Sequence, residues 1–269
     1  MDQAERRVFL IRSLLKERGE CRDVDIPAGE ANQRTLLRGL MNVRPVRKAD
    51  VDFLRVQDEY LQEELVAKDI TDIRGLSPIQ PGLHLRQGDI TCLRCDAIVN
   101  AANSGLTGCY IPCHSCIDNC IHTYAGIQLR LACAEQMALQ QCEEPTGRAK
   151  ITKAYNLPCR YVLHTVGPII YDRVTPDDER LLASCYRSCL ELAEQYHIGS
   201  IAFCCISTGV FHFPRQRAAQ IAVNTVQQYL AKTNSKMKVI FNVFQDEDRS
   251  IYERLLQPAD PSERGACHS

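Results

Sequence analysis

Apolar positions in the first 75 residues recur at helical spacing. The face carrying Phe9, Leu10, Ser13 and Leu14 predicts an amphipathic helix over Gln3–Lys16. A polar stretch with Pro27 and Gly29 comes next. A second helical pattern spans Thr35–Met41 and ends near Pro45; a third runs from Ala49 to about Lys68, with Val51, Leu54, Leu61 and Leu65 on one side. Between Arg74 and Gly82, prolines and glycines mark a junction. An extension this short is expected to pack on the main domain instead of standing alone.

From Leu83 the period changes. Short apolar runs at Leu83–Gln87, Asp96–Ala101, Ala149–Tyr155, Tyr161–Val166, Ser200–Cys205 and Lys238–Phe244 predict strands. Helical patterns separate them: Ile117 to about Gln141 as one long helix, Pro176–Gln195, Pro214–Ala231 and Ser250–Leu256. Pro176 and Pro214 stand at helix starts, and Asp177, Asp178 and Glu179 suit the first turn of their helix. Such alternation predicts an α/β fold with helices layered on a sheet, and no internal repeat interrupts it.

Composition narrows the setting. The 269 residues carry 32 Lys plus Arg against 33 Asp plus Glu, which excludes a generically basic nucleic-acid binder. No apolar run approaches the roughly 20 residues of a membrane helix, and the charged start lacks a signal-peptide core. A cytoplasmic protein is expected, without membrane or nucleic acid as partner. Fifteen cysteines in so long a chain then read as reduced thiols, mostly small buried hydrophobes. The basic stretch Arg44–Lys48 reads as a solvated turn.

Ligands of open α/β sheets bind beyond the carboxyl ends of the strands. After Ala101 the chain continues Ala102-Asn103-Ser104-Gly105; after Cys205 it continues Ile206-Ser207-Thr208-Gly209-Val210-Phe211. Glycine and small hydroxyl residues let backbone N–H groups approach a phosphate, and two such loops suit a diphosphate. Asp89, after the first strand, suits either an adenine amino group or a turn cap.

Two metal readings compete with ordinary thiols. Cys92-x-x-Cys95 and Cys113-x-x-Cys116, seventeen residues apart, fit the spacing of a four-cysteine zinc ribbon and an interaction module. Yet Cys95 runs directly into a buried strand. Alternatively Cys109, His114 and Cys116 lie within eight residues, ahead of a helix. Two thiolates and an imidazole would leave a fourth zinc position open, as in catalytic sites, with Cys113 a substitute. Asp118 suits either a residue supporting the chemistry beside Asn103 or a helix cap, His122 reads as packed behind the site, and His164 as structural.

Together Gly88-Asp-Ile-Thr91, Asp96-Ala-Ile-Val-Asn-Ala-Ala-Asn103, Asn156-Leu-Pro158, Val162-Leu-His-Thr-Val-Gly-Pro168 and Ser207–Phe211 resemble the signatures of macrodomains, which bind ADP-ribose. The insert Gly108–Asn119 and the helical extension resemble the zinc-containing branch of protein-ADP-ribose hydrolases. The resemblance implies a three-layer α/β/α fold with a mixed central sheet over 76–269, preceded by a helical extension over 1–75. It implies one zinc per chain on Cys109, His114 and Cys116, with Asn103 at the distal ribose as a further catalytic residue. Asp89, Ile90 and Phe244 would hold the adenine, Ser207, Thr208, Gly209, Val210 and Phe211 the diphosphate, and Cys109 the ribose side. His212 departs from the family's usual glycine.

The implied activity is removal of mono-ADP-ribose from acidic side chains of modified proteins. In some members of that branch the substrate is a lipoyl-carrier protein modified by a sirtuin-like transferase. An ADP-ribose reader without catalysis and a deacylase of free O-acyl-ADP-ribose are the alternatives. The two metal readings part on one variant. Cys92→Ser is expected to leave bound zinc, assayed by metal analysis after gel filtration, unchanged; loss of the metal would favour the ribbon.

Overall fold

Hydrophobic faces on three N-terminal helices close on one another, as their spacing predicts. The computed structural model describes residues 1–19 and 25–257. Helices α1 (Gln3–Arg18), α2 (Glu30–Val43) and α3 (Val51–Val66) bury Leu10, Ile11, Leu14, Leu37, Phe53 and Val56 in a core of their own. Each such side chain contributes roughly 1.5–3 kcal/mol relative to exposure. That core takes in Ile127 from the main body, and α2 also packs on a helix of that body, α4 (Ile117–Ala125). Asp2 and Glu5 form a capping box at the start of α1, and Gly19 ends it in the left-handed conformation. Arg44 is not the solvated residue expected: it is buried, with Nε 2.7 Å from Glu17 of α1. The turn after α2 runs back along α1 and brings this cation onto the glutamate.

The sheet begins beyond the extension. Strands β1 (Thr71–Asp72) and β3 (Leu93–Arg94) form a small parallel pair, each too short for a hydrophobic pattern to reveal. The main sheet contains β2 (Leu83–Gln87), β4 (Ala97–Ala101), β5 (Ala149–Lys153), β6 (Tyr161–Thr165), β7 (Ser200–Phe203) and β8 (Lys238–Val243). Their order is β2-β8-β7-β4-β6-β5; every neighbouring pair is parallel except the β5–β6 edge. The sheet is therefore mixed, as expected.

Helices cover both faces: α4, α5 (Ile127–Gln140), α6 (Pro176–Gln195), α7 (Arg215–Thr233) and α8 (Asp246–Leu256). Two adjacent residues of β6 show the division. His164 lies 3.6 Å from Cys133 Sγ on α5, whereas Thr165 interacts with Cys185 on α6. Val99, Leu163, Phe203 and Phe241 fill the core between the layers.

The long helix expected over 117–141 is two helices. Gly126 separates them at φ 96°, ψ 169°, and Gln57 Oε1 of α3 accepts the N–H of Ile127 at 2.9 Å. A Cβ at Gly126 would lie 2.6 Å from Gln128 Oε1 and 2.7 Å from Gln57 Nε2. Apolar residues continue through the break, so their periodicity hides it. The final helix begins at Asp246 instead of Ser250, and Asp248 in its first turn pairs with Arg215 at 2.7 Å.

All thirteen cysteines among the described residues are free thiols; Cys21 and Cys267 lie outside them. No helix of the described residues is long and apolar enough to cross a membrane.

Burial pushes the imidazole of His164 down to about 3. An unfolded histidine titrates near 6.5, so between these values the unfolded state binds a proton that the native state refuses. Stability from this group is full above about 6.5 and declines as pH falls. Between pH 6 and 4.5, unfolding free energy from urea melts should fall about 1 kcal/mol per pH unit more steeply in wild type than in His164→Gln. Parallel curves would assign the acid loss to other groups.

Candidate functional site

The order of the main sheet sets the order of the site. At the carboxyl end of β2, Asp89 caps a short 3-10 turn: its Oδ1 accepts Thr91 N at 2.9 Å and Thr91 Oγ1 at 2.6 Å. The side chain is 40% exposed, and its Oδ2 lies 3.6 Å from Lys68 Nζ and 3.7 Å from the Cys92 thiol. The two readings of Asp89, cap and ligand acceptor, thus use different oxygens. Ile90 next to it is buried in the core. Beside β2, β8 is followed directly by Phe244, which is 73% exposed.

Beyond β7, the segment Ser207–Phe211 forms a tight loop. Ser207 is buried at φ 65° and crowds Gly167; Gly209 and Val210 are exposed. Phe211 contributes its carbonyl to Ile170 N at 2.9 Å. His212 adopts φ 59°, so the conformation for which glycine is usual is taken up by histidine. Thr208 Oγ1 donates to the Cys205 carbonyl at 3.0 Å, which holds the loop to its strand.

Beyond β4 lies Asn103. Its Nδ2 donates to the Gly108 carbonyl at 3.1 Å and to Asp118 Oδ2 at 3.3 Å, while Oδ1 accepts Gly105 N at 3.0 Å. Both amide hydrogens are therefore committed, and a lone pair on Oδ1 is left. Asp118 is not a helix cap. Its other oxygen accepts Asn100 Nδ2 at 2.8 Å, and His122 Nε2 lies 3.5 Å away. Burial pushes this carboxyl up to about 6, against the Asn100 bond that pulls it down. The cap is Cys116, whose Sγ accepts Asn119 N at 3.5 Å.

Gly108 connects Asn103 with the cysteine loop. It has φ 84°, and a Cβ there would lie 2.8 Å from the His122 ring. Immediately after it, Cys109, His114 and Cys116 bring their donor atoms within 4.8 Å of one another; Cys109 Sγ lies 3.7 Å from His114 Nδ1. Burial, with Cys109 close by, pushes the Cys116 thiol up to about 12. Two thiols and an imidazole converging at a helix N-terminus fit a borderline-soft cation such as zinc.

Cys113 is turned away from this cluster. It has φ 55° and its Sγ lies 3.3 Å from the Thr35 carbonyl. Cys92 and Cys95 join no metal-competent group among the described residues: Cys95 Sγ instead contacts the Ala97 carbonyl at 3.1 Å. The ribbon arrangement is thus not formed, because strand β4 carries Cys95 into the core.

His122, Cys133 and His164 also have donor atoms within 4.8 Å. This group belongs to the buried polar layer: His164 meets Thr152 Oγ1 at 2.9 Å and Asn100 Nδ2 at 3.2 Å, and burial keeps both imidazoles neutral.

Sequence patterns give no sign of what the extension contributes at this end of the sheet. Lys68 stands beside Asp89 and 3.4 Å from the centre of the Tyr124 ring. No local pattern signals these contacts, since their partners lie far away along the chain.

The Macro domain family profile matches residues 99–222. A protein named "Protein-ADP-ribose hydrolase" from Treponema medium is 56% identical over 95% of this chain and 100% of its own. One of the same name from Staphylococcus aureus strain MSSA476 is 48% identical over 92% and 94%. Among solved structures, the Trypanosoma brucei macrodomain in complex with ADP-ribose superposes with a TM-score of 0.63 at 31% identity, covering 81% of this chain and 94% of that one. The Oceanobacillus iheyensis macrodomain with ADP gives 0.60 at 40% identity, covering 67% and 93%.

Gly108→Ala should be costly. The added methyl group meets the His122 ring on a backbone that disfavours any Cβ, so a loss of about 1–3 kcal/mol is expected in denaturant melts. Unchanged stability would mean that this part of the loop has freedom to move.

Proposed function

This chain belongs to the macrodomain family, among relatives named protein-ADP-ribose hydrolases, and from that premise we propose that it releases ADP-ribose from modified acidic side chains. The observation that carries this reading is the succession of groups along the strand ends. From β2 to β4 the order is Asp89, Phe244, the Ser207–Phe211 loop, and Asn103 with the cysteine loop. Three strand spacings of about 4.8 Å give a row of about 14 Å that presents its groups in the order base, diphosphate and distal ribose.

In this reading Asp89 Oδ2 accepts the adenine amino hydrogen, and Phe244 covers the base. Backbone N–H groups of the Ser207–Phe211 loop donate to the diphosphate. Asn103 Oδ1 accepts a hydroxyl of the distal ribose, because Asp118 and the Gly108 carbonyl fix which way the amide faces. Rigid binding of the diphosphate holds the linkage to the protein in place, which supplies the positioning part of the rate.

Cys109, His114 and Cys116 would hold one zinc ion beside that ribose. When bound, such an ion supplies Lewis acidity, polarising an oxygen of the linkage or ribose or lowering the pKa of water. Hydrolysis adds water across the bond between the distal ribose and the side-chain carboxyl group, giving ADP-ribose and the free acid. A lipoyl-carrier protein, which the sequence resemblance suggests, is the first acceptor to offer.

Release of ADP-ribose from a carboxylate-modified carrier, followed by chromatography, tests the reading. Wild type is expected to release it, while Cys116→Ala and chelator-treated protein lose about a hundredfold or more in rate yet still bind ADP. Full activity without zinc would remove the metal from the chemistry. Binding without cleavage of either the protein ester or free O-acyl-ADP-ribose would make the protein a reader; cleavage of the free ester alone would make it a deacylase.

A further inference from the structure

The loop carrying Cys109, His114 and Cys116 does not stand on the sheet alone. Helix α2, which lies outside the residues matched by the family profile, runs along its back. Arg38 Nη2 donates to the His114 carbonyl at 2.7 Å and to Asn119 Oδ1 at 2.9 Å, and lies 3.6 Å from Cys120 Sγ. Asn119 in turn donates to the carbonyls of Cys109 and Ile111, at 3.4 and 3.0 Å. One guanidinium therefore touches the backbone of one proposed ligand directly and that of another through a single side chain.

One turn further along α2, Asn42 is 1% exposed. Its Oδ1 accepts Cys113 N at 2.9 Å and its Nδ2 donates to Thr123 Oγ1 at 2.9 Å. Cys113, held in this way, is the residue that turns left-handed midway between the donors. Gly39 faces the same loop: a Cβ there would lie 3.7 Å from both Cys113 Sγ and Pro112 Cβ, in ordinary contact. Arg130 on α5 joins the loop to the end of α2. Its guanidinium lies 4.2 Å from the Tyr110 ring centre, and Nη1 bonds the carbonyls of Asn42 and Arg44 at 2.7 and 2.8 Å.

We propose that α2 is a working part of the metal site: Arg38 and Asn42 are positioning residues that hold the loop with its three donors converged. This rests on the metal reading above and assigns the extension a task in it. A long flexible loop must lose conformational freedom to bring three donors onto one cation. Bonds to α2 make that loss during folding, so the cation meets donors already in place.

The test uses full-length Arg38→Ala, Arg38→Lys and Asn42→Ala beside wild type. Zinc release is followed with a chromogenic chelator, ADP affinity by calorimetry, and amide exchange over 109–116 in metal-free protein. Arg38→Ala is expected to release zinc about tenfold faster, the scale of one lost charged hydrogen bond. Arg38→Lys should recover part of the difference, and ADP affinity should stay within about twofold, since Asp89 and the β7 loop are untouched. Amide exchange over 109–116 should quicken in both alanine variants. Exchange equal to wild type in both would overturn the proposal, as would unchanged zinc release from Arg38→Ala. A wild type that holds no zinc would remove the metal reading, and the exchange of the metal-free loop would still decide whether α2 holds it.

Discussion

The carboxyl group of Asp118 ties helix α4 to strand β4 and to the loop that leaves that strand. One oxygen is tied to Asn100 on β4, the other to Asn103 beyond that strand, and the ring of His122 lies against it from α4. Burying a carboxyl group is costly unless its lone pairs are met, so these partners are bound to their positions as firmly as Asp118 is to its own. Both amide hydrogens of Asn103 are engaged, which is what would let its oxygen orient a ribose in the proposed reading. Gly108 must be glycine because the His122 ring occupies the space of a side chain.

Most of the sheet was legible in the sequence because each strand is a short apolar run ending in a turn. Its helical layers were legible where a Pro or an acidic first turn marked a start, as at Pro176. The break at Gly126 was not. Apolar residues lie on both sides of it, and the group that stabilises it, Gln57, is seventy residues away. The small β1–β3 pair was hidden for a different reason: two residues cannot show a period.

For the site, chemistry with unusual composition was legible and connectivity was not. Cys109, His114 and Cys116 stood out by type and spacing, and the structure brings their donor atoms together. Cys113 was indistinguishable from them by spacing; only its turn toward Thr35 separates it. Asp118 has the position of a helix cap, and Cys116 takes that place because its thiol reaches Asn119 first. Arg38, Asn42 and Lys68 carry no local mark, since a helix face that meets a distant loop looks like any other half-polar face.

The core of the first three helices closes on Ile127, and α3 caps the helix that this residue begins. On the ribosome these helices emerge well before their closing residue is synthesised. The nascent chain therefore carries an amphipathic cluster with one side open until the middle of the sequence has been translated. Order of synthesis thereby couples the two parts. The three helices can close most of their core on one another, and only the side that Ile127 covers waits for the main body.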